Sequence, residues 1–206
     1  LEGIQWIVNP YDEWYALVRA LELVEAGGGT VTVINVGGAT SDPVIRKALA
    51  LGAHEAVRID TEASESYVVA KEIAAYAADK GFDMVLLGKE TISYNGSEVG
   101  GMLAEFMNVP YISLASSLEV NGDSATMDRT IEGGVEVVDV KMPFVASASK
   151  GMAEQRIPNM RGIMAARSKP LTVVPATGAS ATTAYVKYSL PAPKSAVKLV
   201  DAENMD

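Results

Sequence analysis

The 206-residue sequence contains no cysteine and a single histidine, His54. The first absence excludes disulfides, thiolate-bound zinc, iron–sulfur clusters and thiol catalysis. The second excludes a metal site built from several histidines. Any redox or group-transfer chemistry must therefore come from a bound cofactor or a partner protein. Positive charge is also scarce. Lys and Arg number 17 against 26 Asp and Glu, a net charge of −9. Phosphate-backbone recognition needs a basic surface, so nucleic-acid binding is not expected. No apolar run approaches the roughly 20 residues of a membrane helix, so no direct membrane insertion is expected, and no signal peptide is visible. The default reading is a soluble intracellular chain.

What is present is a chain of one large domain's length, 49% apolar and able to bury a sizeable core. Leu1–Val8 is short and apolar. Asn9 is placed as an N-cap, with Pro10 at the first helical position and Asp12 and Glu13 at the positive end of the helix dipole. Leu17, Leu21 and Val24 continue one apolar face until Gly27-Gly28-Gly29 ends the helix. Thr30–Val36 reads as a strand, Ser41–Gly52 as a helix, Ala56–Ile59 as a strand, Ser64–Asp79 as a helix and Met84–Leu87 as a buried strand. A helix comes next, from Ser97 to Met107. This alternation predicts an α/β fold with a doubly wound, mostly parallel sheet. From Tyr111 onward the pattern becomes an antiparallel β extension: strands Ser113–Val120, Ser124–Ile131 and Val135–Val140, with a turn at Asn121-Gly122-Asp123. Phe144–Ser149 and Leu171–Val174 are the last strands, with a short basic helix or loop at Arg161–Arg167 between them. Beyond Pro175 the composition is that of an extended C-terminal arm.

Three segments are candidates for chemistry. Gly88 through Gly100 comes after a buried strand and leads into a helix, where ligands of open α/β sheets bind and where free N–H groups suit a phosphate. Asn95 and Ser97 could hold one, and an ordinary helix-capping loop fits the same residues. It is not a Walker A loop. Val36-Gly37-Gly38 could let a base or ribose approach the backbone, or be a plain turn. Ile157 through Pro170 is basic and rich in Met and Ile, suited to an adaptable partner surface or to folding over the core. His54 reads as structural, and the alternating charges of Asp128–Glu132 suit a salt-bridged strand edge or an interface. No paired carboxylates and no Ser/His/Asp arrangement stand out.

Together these segments resemble the β subunit of electron transfer flavoprotein. The resemblance rests on Asn9-Pro10-Tyr11-Asp12-Glu13, Lys47-Ala48-Leu49-Ala50-Leu51-Gly52-Ala53, Leu86-Leu87-Gly88-Lys89-Glu90, Arg129-Thr130-Ile131-Glu132-Gly133-Gly134 and Pro158-Asn159-Met160 with Lys169-Pro170. These occur in the family's order over nearly the whole chain. The resemblance implies an adenine-nucleotide-binding, HUP-like domain over residues 1–175, and an arm over 176–206 packing on a partner subunit. It implies a heterodimer with a larger α subunit that carries FAD. Electrons would be taken from acyl-CoA-type dehydrogenases of fatty acid oxidation by transient docking and passed to a quinone reductase, in the cytoplasm or the mitochondrial matrix. The chain itself would be an electron-carrier subunit without catalytic residues, binding a structural AMP.

The nucleotide loop of the family maps onto Gly88, Ser93, Asn95, Gly96, Ser97, Glu98 and Val99, with Asn9 and Val36 beside it. The partner-recognition loop, near 157–168, maps onto Ile157, Pro158, Asn159, Met160, Arg161, Ile163 and Met164. The family's AMP-binding form carries an acidic run and then Asn-Gln-Thr, where this chain has Ser93-Tyr94-Asn95 and Ser97-Glu98-Val99. The Asp-Gly-Asp-Thr of electron-bifurcating relatives is missing too. AMP, a second FAD and an empty pocket therefore all stay open. The family also begins with a central strand and a long excursion before Asn9 and ends with a further helix, and this chain is expected to lack both the strand and the helix. A nucleotide-binding hydrolase or ligase, or a nucleotide-sensing module, of the same fold is the alternative.

Overall fold

The computed structural model describes residues 6–197 and 199. Of the short apolar run Leu1–Val8, residues 1–5 lie outside the described residues, and 6–8 belong to no helix or strand. The first element is α1 (Asp12–Gly27), which starts at Asp12 rather than just after Asn9. Pro10 is therefore not its first residue. Asn9 instead closes the turn ahead of the helix, its Oδ1 accepting from Tyr11 N at 3.1 Å.

The α/β alternation comes next: β1 (Thr32–Val36), a 3-10 turn (Ala39–Ser41), α2 (Asp42–Leu51), β2 (Glu55–Asp60), α3 (Ser66–Ala77), β3 (Met84–Gly88) and α4 (Val99–Met107). The β extension comprises β4 (Tyr111–Ala115), β5 (Glu119–Asn121), β6 (Ser124–Ile131) and β7 (Gly134–Lys141). After it come β8 (Phe144–Ala148), α5 (Met160–Ala166) and β9 (Leu171–Pro175).

The expected strand Ser113–Val120 is two strands. Leu114 has φ +58°, and residues 116–118 leave the ladder. Leu118 drops into the core at 1% exposure, and its carbonyl accepts from Arg19 Nε at 3.0 Å. Burying that side chain outweighs three residues of ladder pairing.

The fold is α/β with parallel strands, but among the described residues the strands form two separate sheets. One sheet has the order β1-β2-β9, all parallel. The other has the order β3-β8-β4-β6-β5, with β7 added on β6. In it β3, β8 and β4 are parallel, while β5 and β7 pair antiparallel with β6. Among the described residues β1 pairs only with β2, and β3 only with β8. The free edges of β1 and β3 both line a cavity of about 1490 Å³, whose other walls include Leu17 and Ala20 of α1 and Val69 and Ile73 of α3.

Helix α1 spans the division. Trp14, Val18 and Leu21, spaced four and three residues apart, pack with Ile45 and Leu49 of α2 and Ala56 of β2. Ala16 faces the other way, into a core with Phe144, Met127 and Leu118. Phe144 is 1% exposed in that second core. Phe144→Ala is expected to lower the unfolding free energy by about 3–5 kcal/mol, measured as a lower urea midpoint with an unchanged slope.

Candidate functional site

The site is built where β3 ends against the start of α1. A methyl group on Gly88 would fall 2.7 Å from Glu13 Cγ and 2.9 Å from Glu13 N, so only glycine lets the strand end there. Asn9 is 4% exposed and holds three neighbours. Besides Tyr11 N, its own N–H donates to Glu13 Oε2 at 3.0 Å, and its Nδ2 donates to the Glu90 carbonyl at 3.3 Å. One buried amide thus joins the head of α1 to the loop after β3.

Two carboxyls beneath this junction are displaced in the same direction. Burial pushes Glu13 up, against the bond from Asn9 N, and the Asp12 charge adds to the rise. Burial also pushes Asp12 up, opposed by Lys89 and reinforced by Glu90.

The loop between β3 and α4 closes on its own carboxylate. Glu90 accepts from Ser97 Oγ at 3.2 Å and pairs with Lys89 Nζ at 3.4 Å. Burial would raise its pKa, but Asn95, Lys89 and Ser97 together hold it below the ordinary carboxylate range. Asn95 N donates to the Thr91 carbonyl at 2.9 Å, and Asn95 and Ser97 both take left-handed backbone, at φ +52° and +53°. That geometry carries the loop past its expected end, so α4 begins at Val99 and not at Ser97. Gly96 lies beneath the Tyr94 ring, whose hydroxyl reaches Ser66 Oγ at 3.2 Å. Gly100 lets α4 pack on Tyr111, where a methyl group would meet the hydroxyl at 2.6 Å. The first N–H groups of α4 have no intrahelical acceptor and stand at the end of the loop.

The expected site residues are only partly brought together. Gly88, Ser97, Glu98 and Val99 line the cavity between β1 and β3, as does Asn35. Ser93, Asn95 and Gly96 shape the loop without lining that cavity, and Asn9 touches the loop through Glu90. Val36 is buried at the end of β1 and does not line it either. Its neighbour Asn35 leaves Oδ1 buried and without a partner among the described residues.

On the other side of the junction lies a cavity of about 540 Å³, lined by Tyr11, Asp12, Lys89, Glu90, Ile92 and Lys150 among others. Its volume is that of a small-molecule cleft. Of this group the sequence marks Asp12 only as a dipole residue. Lys150 carries no local signal, because the fold brings it there from 60 residues beyond Glu90.

The second candidate surface is α5 and the chain before it. Asn159 caps the helix, its Oδ1 accepting from Gly162 N at 2.8 Å. This gives Asn159 a structural duty inside the expected partner-binding segment. Ile157, Met160, Met164 and Ile163 are 87, 73, 56 and 42% exposed, and Arg161 is exposed beside them. Pro158 is half-buried.

The root of the segment is fastened down. Trp14 Nε1 donates to the Arg156 carbonyl at 3.1 Å, and the Arg156 guanidinium grips both oxygens of Glu25 at 2.6 and 2.9 Å. Arg46 donates to the carbonyls of Ala166 and Lys169 at 2.8 and 2.6 Å. Lys169, expected on a basic surface, turns inward instead. Its ammonium donates to the carbonyls of Leu49 and Ala53, closing the C-terminal end of α2. His54 Nδ1 accepts from Val31 N at 3.1 Å, and Arg129 pairs with Glu136 across β6 and β7 at 2.9 Å. Among the described residues no cluster of three metal-ligating side chains occurs, and no helix is long and apolar enough to cross a membrane.

Comparison with known proteins adds an independent finding. Residues 2–179 match the family model described as the electron transfer flavoprotein domain. A Bacillus subtilis protein named electron transfer flavoprotein subunit beta is 38% identical over 82% of this chain and 67% of its own length. One of that name from Syntrophomonas wolfei is 34% identical over 97% of this chain and 80% of its own length. One from Sus scrofa is 31% identical over 85% and 71%.

Gly162 tests whether α5 is seated as described. A methyl group there would lie 2.3 Å from the Ala50 carbonyl oxygen, backbone against backbone. Gly162→Ala is expected to lift α5 from α2 and to cost about 1–3 kcal/mol. Limited proteolysis between residues 157 and 166 should then become faster than in the parent protein.

Proposed function

The chain belongs to the electron transfer flavoprotein family, among its β subunits, and we propose that it works as the non-catalytic half of a heterodimeric electron carrier. Its partner is a larger α subunit that holds FAD. When bound, that flavin supplies the electron chemistry. The residues of this chain position and dock. Electrons come from acyl-CoA-type dehydrogenases and go on to a quinone reductase. Supporting this is the pairing of an exposed Ile/Met ridge with a fastened root. Ile157 and Met160 are the most exposed apolar side chains of that segment; Trp14, Arg46 and Asn159 hold its backbone, and Glu25 holds the Arg156 side chain. A rigid segment carrying adaptable methionines recognises a flavoprotein surface at low ordering cost. The arm beyond Pro175 packs on the α subunit in the same reading.

We propose further that the loop after β3 takes an adenine nucleotide, AMP first among the candidates. The free N–H groups at the start of α4 suit its phosphate. The orphaned Asn35 Oδ1 is an acceptor in want of a donor such as an amino group or a ribose hydroxyl. The side chains that would hold the phosphate are Ser97 and Asn95. Both now serve Glu90. A phosphate entering here therefore competes with a carboxylate already in place.

Three outcomes check this reading. Ile157→Ala or Arg161→Glu should slow electron transfer from the dehydrogenase at least tenfold in stopped-flow assays while leaving the circular dichroism spectrum unchanged. Equal rates would remove the docking role. Glu90→Gln should raise the affinity for AMP about tenfold by removing one like charge, as read by calorimetry. The complex purified with its partner should be yellow and should release FAD and AMP on denaturation, identified by mass.

A further inference from the structure

Helix α3 carries two carboxylates that the functions above do not use. Glu72 is 1% exposed, in the middle of the helix. Glu65 lies one residue before its start. Seven residues apart, they are separated by roughly 10 Å along the axis. The chain leaving β9 runs past both.

Glu72 accepts from Thr177 N at 2.8 Å, Thr177 Oγ1 at 2.9 Å and Ala179 N at 2.9 Å, using both oxygens. Glu65 Oε1 accepts from Thr182 N and from Thr182 Oγ1 at 3.1 Å. Its Oε2 accepts from Thr183 N at 3.0 Å and from Thr183 Oγ1. A buried glutamate without partners would be costly, and an extended chain without ladder partners leaves its amides unpaired. Here each need meets the other. The hydroxyl of Thr183, then the amide of Thr182, hold Glu65 below the ordinary carboxylate range. Burial pushes Glu72 upward, yet the donors of Thr177 and Ala179 outweigh it.

Past Thr183 the arm turns apolar and lies uncovered among the described residues. Tyr185, Val186, Tyr188 and Leu190 are 69, 98, 78 and 93% exposed. The rings of Tyr185 and Tyr188 stand 5.1 Å apart. A segment of this composition needs a surface to cover it. The last anchored residue, Thr183, sits only two residues before Tyr185.

We infer that Glu65 and Glu72 form a two-point clasp that holds residues 177–183 along α3 and so aims the apolar segment 185–190 at the partner subunit. The clasp lowers the ordering cost of binding, because the first half of the arm is already in place when the subunits meet. Glu65 and Glu72 are positioning residues and touch neither nucleotide nor flavin. This inference rests on the heterodimer reading for the identity of the partner, and on the hydrogen bonds alone for the clasp.

The test uses the full chain with Glu65→Gln, with Glu72→Gln and with both, since an amide group replaces half of each acceptor with a donor. Hydrogen exchange on the chain alone should accelerate at least tenfold at Thr177 and Ala179 for Glu72→Gln, and at Thr182 and Thr183 for Glu65→Gln. The dissociation constant for the partner subunit should rise about tenfold in the double variant. Glu65 is at the surface end of the helix, so its variant reports even if Glu72→Gln unfolds. Unchanged exchange overturns the clasp. Faster exchange with an unchanged dissociation constant overturns its role in binding and leaves the heterodimer standing. A parent chain that does not associate with the partner subunit overturns the heterodimer reading and with it the aiming role, while the exchange rates still decide the clasp.

Discussion

Everything described depends on burying both sides of one helix, α1. The two sheets share no hydrogen-bonded edge among the described residues, so they stay together through side-chain packing. Trp14, Val18 and Leu21 insert toward the β1-β2-β9 side, and Ala16 toward the other. A helix that is apolar on one stripe only could not do this. The same helix reaches the functional features through polar bonds. The turn before it joins the loop after β3 through Asn9, and Trp14 and Glu25 hold the backbone and side chain of Arg156. Arg19 satisfies the Leu118 carbonyl where the β extension breaks.

The loop after β3 shows how charge shapes a cradle. Glu90 gathers the hydroxyl, amide and ammonium groups around it, and its pKa falls accordingly. At the head of α1, Asp12 and Glu13 move the opposite way because burial strips them of water without giving them cations of equal weight. Three carboxyls in one junction thus have different proton affinities, set by which of them finds donors. Any anionic ligand entering the loop meets that arrangement first.

The C-terminal region obeys the same logic of paired needs. Among the described residues the chain beyond β9 forms no ladder, yet the amides of Thr177, Ala179, Thr182 and Thr183 are satisfied by Glu72 and Glu65. Helix α3 and the arm are connected through acid-to-amide bonds. That leaves the apolar residues after Thr183 available to a partner.

The sequence alone determined the α/β alternation, the family, the loop after β3 and the exposed Ile/Met segment. These are written in local periodicity, in glycines at close approaches and in contiguous motifs. Even so, Asn9 reads as a cap when it is a tether, Lys169 reads as surface charge when it closes α2, and Ser113–Val120 reads as one strand when Leu118 breaks it. Each difference concerns a side chain or carbonyl whose partner lies far along the chain: Asn9 with Glu90, Lys169 with Leu49, Leu118 with Arg19. Only the tertiary structure decided the division of the sheet, the Glu90 cradle and the clasp on residues 177–183. Periodicity reports which face of an element is buried, but not which distant donor or acceptor a buried group will find there.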